Sequence, residues 1–188
     1  MMTETTQSVL DRAGDAALTL AADRPWPEVT LRDIARAADL TFAELYVAAD
    51  GKHGVLDALA RRHDRAALDA AEGLGADDDV HDRLFEIVMA RLEAMEPHRT
   101  ALIAIAKAEG PLALAPRLPR TARALLEAAG IDASGVRGRA RLAAMTAVWA
   151  RVLQVWRDDE GALNRTMAEI DRQLKAMRDR LGRIGAGW

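Results

Sequence analysis

The sequence predicts an all-α protein, and three observations carry that expectation. Half of the 188 residues are hydrophobic but only 4% are aromatic. Alanine, leucine and arginine dominate, a balance that favours helix over strand. Apolar residues recur at three- and four-residue spacing along most of the chain, with no alternating run to compete. Prolines and glycines gather in short clusters between these stretches, where helices have to stop.

The first helix is expected over residues 5–22, with Val9, Leu10, Ala13, Ala17, Leu18 and Leu20 at helical spacing. "RPWPEV" ends it, because two prolines cannot continue a helix; Trp26 in this connection reads as a plug. Thr30 is a natural N-cap for a helix through Ala38, with Asp33 three residues on in a capping-box arrangement. Asp39 and Leu40 form a tight turn. Thr41 caps again, with Glu44 three residues later, and a short helix carries Phe42, Leu45 and Tyr46. After "ADGK" a long helix is expected from Lys52 to Glu72.

"GLGADDD" reads as a linker, and residues 80–95 as an amphipathic helix through Leu84, Phe85, Val88, Met89, Leu92 and Met95. Pro97 opens another helix, whose centre "ALIAIA" (101–106) is apolar all round and so expected to be buried. The prolines of "EGPLALAPRLPR" predict a break, followed by a helix ending at Gly130. Two long helices close the chain, at 136–157 and 161–184.

Those two helices carry narrow apolar seams. Leu163, Met167, Ile170, Leu174, Met177 and Leu181 alternate by four and three, as do Leu142, Met145, Trp149, Val152 and Trp156 by three and four. Such seams suit knobs-into-holes packing. They fit either the chain's own core or a four-helix bundle with a symmetry mate. The charged remainder leaves each helix one apolar seam. On that ground a homodimer is expected, with Leu163, Met167, Ile170, Leu174, Met177 and Trp156 at its interface.

Composition excludes several classes of chemistry. The chain has no cysteine, which rules out disulfides, thiolate metal sites and cysteine nucleophiles. No apolar run approaches the ~20 residues needed to span a bilayer. The first residues lack the basic-then-apolar order of a signal peptide, so a cytoplasmic protein without integral membrane association is expected. The histidines His53, His63, His81 and His98 are scattered. "DDDVHD" (77–82) lacks the ligand order of a calcium loop and reads as a solvated linker with a helix cap. Neither a phosphate loop nor a nucleophile elbow stands out. No catalytic residue, metal or cofactor is expected, and the chain is not read as an enzyme.

At residues 30–52 the sequence "TLRDIARAADLTFAELYVAADGK" resembles the TetR family of transcriptional regulators, through Thr30, Asp33–Ala38, Leu40, Thr41, Leu45–Tyr46 and Lys52. The resemblance implies a three-helix head with a helix-turn-helix (1–50) and a larger helical ligand-binding and dimerisation domain (51–188). It implies DNA contact through Thr30, Thr41, Phe42, Ala43, Glu44, Tyr46 and Lys52, with Tyr46 and Lys52 at positions that touch the DNA backbone. Thr41 would offer a hydroxyl and open N–H groups to a phosphate.

The departures fall where DNA would be read. Phe42 stands where members often have a polar residue, Glu44 where a threonine is common, Val47 at a polar position, and Ala48 and Ala49 in place of an aromatic pair. Residues 42–49 contain no lysine or arginine, yet base edges are usually read by Arg, Lys, Asn or Gln. Residues 1–52 hold 5 basic and 9 acidic side chains, whereas residues 135–188 hold 11 and 6. The head is acidic, and weakened DNA binding is expected.

The tail at 148–174, with its tryptophan helix, the acidic turn Asp158–Asp159–Glu160 and "TMAEID", looks like the C-terminal region of the lipid-binding proteins of coenzyme Q biosynthesis. Those share the TetR fold without acting as repressors. Two functions therefore stay open. One is a TetR-like regulator that binds DNA through its head and a hydrophobic small molecule in its larger domain. The other is a lipid- or isoprenoid-binding protein that no longer binds DNA. In either, Met89, Leu92, Leu102, Ile103, Met145 and Trp149 are the expected lining for an apolar or lipid effector, with Arg91, His98 and Arg151 as candidates for its polar group.

Overall fold

A computed structural model describes residues 2–75, 77–159, 161 and 163–188. The helices are α1 (Met2–Asp23), α2 (Leu31–Ala37), α3 (Phe42–Ala48), α4 (Gly51–Glu72), α5 (Val80–Met95), α6 (Arg99–Leu114), α7 (Arg117–Ala128), α8 (Gly135–Arg157) and α9 (Asn164–Arg183). Single 3-10 turns lie at Trp26–Glu28 and Glu96–His98. No strand occurs among the described residues, so the all-α expectation holds.

Local chemistry explains the boundaries. α2 and α3 meet at a turn in which Asp39 takes a left-handed conformation, φ 52°, one that Asp tolerates better than most side chains. There the Leu40 N–H donates to the Ala35 carbonyl at 2.9 Å. α5 begins where the Asp79 carboxylate accepts the His81 N–H at 2.7 Å. α7 ends with Gly130 at φ 76° and the Ile131 N–H on the Leu126 carbonyl at 2.9 Å, a C-cap of the Schellman type.

The chain divides into two compact units, each made of two stretches of sequence: Met1–Arg62 with His98–Leu114, and His63–Pro97 with Ala115–Trp188. The first unit therefore extends past the expected boundary at residue 50, and takes in the start of α4 and all of α6. In it α1 packs against α2, α3 and α6. Its core holds Ala13, Ala17, Leu18, Trp26, Val29, Ile34, Leu45 and Val55. In the second unit α5, α7, α8 and α9 close a ring, α8 against α7 and α9, and α5 likewise against both. Leu84, Ile87, Leu92, Leu125, Leu126, Met145, Trp149, Ile170, Leu174 and Met177 fill it.

The break expected at the proline-rich stretch falls at Gly110, whose backbone (φ 77°, ψ 172°) leaves the helical region. Pro111 opens the short helical piece that completes α6, since a proline there lacks only an N–H that would go unused. Two expectations change. The centre of α6 is not buried all round: Ala101 and Ile105 are buried, while Leu102, Ile103, Ala104 and Ala106 are half-buried. The apolar seams also serve the chain itself. Trp156, Ile170, Leu174 and Met177 are buried within a single chain, so their apolar area is not left for a symmetry mate. Leu163 and Met167 are half-buried. A period of 3.5 reports that a seam is packed, not which helix packs it.

Candidate nucleic-acid interface

The helix-turn-helix is built from two reciprocal caps. Before α2, the Thr30 Oγ1 accepts the Asp33 N–H at 3.1 Å, while the Thr30 N–H donates to the Asp33 carboxylate at 2.9 Å. Before α3 the same pattern recurs. The Glu44 N–H donates to the Thr41 Oγ1 at 3.2 Å, and the Thr41 N–H and hydroxyl both donate to Glu44 Oε2, at 2.8 and 2.7 Å. Each seven-residue helix starts with its N-cap and N3 N–H groups satisfied.

This corrects one expectation directly. The Thr41 hydroxyl and N–H are not open to a phosphate, because the Glu44 carboxylate already takes both. Those two hydrogen bonds, and more weakly the charge of Arg12, hold the Glu44 carboxyl below the usual glutamate range. The folded-state value is depressed, so the cap's contribution is fully present above the ordinary glutamate pKa of about 4.3 and is lost as pH falls through the lower folded value.

Lys52 is likewise engaged. Its ammonium donates to the Trp26 carbonyl at 3.2 Å and sits 4.5 Å from the centre of that indole. The buried Trp26 ring, 2% exposed, donates from Nε1 to Glu109 at 2.7 Å, and the other Glu109 oxygen pairs with His53 at 3.2 Å. Glu109, on α6, thus holds the connection before α2 and the start of α4 together. The sequence gives no signal for it, since the partners lie more than 50 residues apart.

Of the expected contact residues, Ala43 and Tyr46 stand on the exposed side of α3, with Tyr46 65% and the neighbouring Val47 87% exposed. Phe42 is half-buried. Its ring lies 5.7 Å from that of Tyr46 and carries the Arg32 guanidinium at 4.2 Å. Arg32 was absent from the expected site. So was Arg12 of α1, which donates to the Asp39 carbonyl at 3.3 Å. Both are exposed, and they bring positive charge to a helix that has none. The available signal was their type: both are arginines on the helices that flank α3.

A scan against protein-family models and a search of curated proteins find no match. Solved structures do match. A TetR transcriptional regulator from Nitrosomonas europaea superposes with a TM-score of 0.68 at 26% identity, covering 89% of this chain and 96% of its own. The chain has the TetR-regulator fold. A TetR transcriptional regulator from Rhodococcus sp. RHA1 is similar at TM-score 0.66 and 16% identity, covering 90% of this chain and 95% of its own. The fatty acid degradation regulator FadR from Bacillus halodurans matches at TM-score 0.53 and 17% identity, over 89% and 93%.

In this TetR-like chain the expected effector lining is divided. Met89, Leu92, Met145 and Trp149 are buried in the second unit, while Leu102 and Ile103 belong to the first. Beside the four lies a buried polar cluster. Arg91 Nε donates to Asp64 at 2.7 Å, Nη1 to the Met95 sulfur at 2.8 Å and Nη2 to Thr121 at 3.3 Å. Thr121 donates to the same Asp64 oxygen at 3.0 Å, and the guanidinium lies 4.6 Å from the Trp149 ring centre. Burial pulls the Arg91 pKa down, and Asp64 opposes the shift. Arg151, by contrast, is an exposed partner of Glu169 and Gln154.

The comparisons do not show the coenzyme Q resemblance expected for the tail, and its acidic turn has a local role. Asp159 accepts the Thr166 N–H at 2.8 Å and its hydroxyl at 2.7 Å, so the acidic turn caps the helix that "TMAEID" opens. Glu160 lies outside the described residues. No helix among the described residues is long and apolar enough to cross a membrane.

Proposed function

We propose that the chain is a one-component transcriptional regulator of the TetR type, which binds DNA through its head and an apolar small molecule in its larger part. One observation carries the reading. A helix-turn-helix with a capping box at the start of both helices presents two exposed guanidiniums beside α3, in a chain that superposes over 96% of the length of a TetR regulator. Arg12 and Arg32, rather than α3 itself, supply the attraction for phosphate.

The test is fluorescence-anisotropy titration of duplexes selected from a random-sequence pool, at several salt concentrations. Binding is expected with a shallow salt slope, because few cations are available. Arg32→Ala is expected to weaken binding about equally across sequences and to lower the slope by about one. Failure to retain any duplex would replace this reading with the second one, a TetR-fold lipid- or isoprenoid-binding protein. A specific observation favours that rival: Thr41, Glu44 and Lys52 are already engaged within the head. Native mass spectrometry of the purified protein then decides whether a lipid is carried.

A homodimer is part of the proposal, with a revised surface. On α8, Ala143 and Ala147 are exposed and Ala140 and Ala150 half-buried, a row of small side chains opposite the buried Met145, Trp149 and Val152. Ala147→Glu is expected to leave helicity unchanged and shift sedimentation from dimer to monomer. An unchanged dimer would exclude this face.

A further inference from the structure

The geometry points to a recognition helix that reads thymine methyl groups in the major groove. This rests on the reading that the head binds DNA, and adds the base chemistry it selects.

The rotation of α3 is fixed by Leu45 and Ala49, which are 0% and 5% exposed. That leaves Ala43, Tyr46 and Val47 on the outward side, spaced by three and four residues, so they share one face. Val47 at 87% exposure is a β-branched side chain held in solvent on a short helix. The polar residue that could have read a base, Glu44, turns its carboxylate back onto Thr41. The Tyr46 hydroxyl is then the only hydrogen-bonding group that Ala43, Tyr46 and Val47 contribute.

With one hydroxyl, a helix of this kind has little means to distinguish bases by donors and acceptors. The major groove offers one apolar feature, the C5-methyl group of thymine, and alanine and other aliphatic side chains contact it favourably. An A·T pair carries as many hydrogen-bonding groups there as a G·C pair, so the methyl is what sets it apart for Ala43 and Val47. Arg32 and Arg12, beside the N-terminal end of α3, supply complementary charge for phosphates. The occupant that fits an apolar face beside guanidiniums is therefore a thymine-rich duplex.

The experiment uses the full-length protein and the best duplex recovered from a random-sequence pool. Each thymine in turn is replaced by deoxyuridine, which removes the methyl group and nothing else. Contacted positions are expected to lose affinity about three- to fivefold per methyl, the effect of one buried methyl-sized group. Exchanging such a T·A pair for 5-methylcytosine·G should retain more affinity than the unmethylated C·G pair. Val47→Ala, at a surface position, should flatten the deoxyuridine effect at one position while the others keep it.

Sequence-selective binding that no deoxyuridine replacement weakens overturns methyl reading and leaves the regulator standing. Equal binding to all sequences overturns it too, leaving only phosphate attraction. Recovery of no duplex overturns the inference together with the DNA-binding reading on which it rests.

Discussion

Asp64→Ala is expected to destabilise the second unit by about 3–5 kcal/mol, the cost of leaving a buried charge without its partner. Arg91 is 5% exposed and Asp64 6%, so the Arg91 charge is left away from bulk solvent. Thr121, which donates to the same oxygen, loses its acceptor as well. Urea unfolding followed by circular dichroism measures the loss. The informative control is the double variant Asp64→Leu with Arg91→Met. Replacing both members of a buried pair by apolar groups is often neutral or stabilising, and the Thr121 hydroxyl can fold back onto its own helix. The double variant is therefore expected to recover most of the stability. A single variant within 1 kcal/mol of the parent would mean that the Arg91 charge is relieved by another route.

Leu45→Ala is expected to cost about 2–5 kcal/mol, the range for removing a leucine side chain from a core that cannot collapse. Leu45 is wholly buried on α3, a helix too short to persist without tertiary packing. Hydrogen exchange should show amide protection falling across α2 and α3, with protection in α5, α8 and α9 retained. Leu45→Met, which conserves volume, should cost less than about 1.5 kcal/mol. Equal loss of protection in both units would mean that they unfold as one.

What the sequence discloses here is local. Thr30 with Asp33 and Thr41 with Glu44 are three residues apart, and both capping boxes form as the spacing requires. Val80–Met95 matches its expected span. The same locality explains the misreading of Thr41, since a capping box that shuts Glu44 onto it also withdraws it from phosphate. Long-range choices leave no such mark. Leu174 and Met177 have the spacing of a dimer seam, but the partner that buries them is the chain's own. Glu109 meets Trp26 across 83 residues, and Arg32 meets Phe42 across the turn. These pairings depend on how helices cross, which a one-dimensional pattern of apolar residues does not specify. Arg91 was legible only as an arginine on an apolar helix. Its companions Asp64 and Thr121 come from other helices.

The interleaving of the two units bears on how the protein is made and how it can be cut. The head does not end with the helix-turn-helix, nor at Arg62, because its last helix arrives only with residues 98–114. A ribosome that has released the first 62 residues has delivered α1, α2 and α3 but not Glu109, whose carboxylate takes the Trp26 indole N–H. Completion of the head waits until a third of the second unit has already emerged. For the same reason the part that carries the helix-turn-helix is not a portable module. A fragment ending after α4 exposes the surface of α1 that Ala101 and Ile105 cover, so grafting or truncation has to carry α6 along or supply a substitute for it.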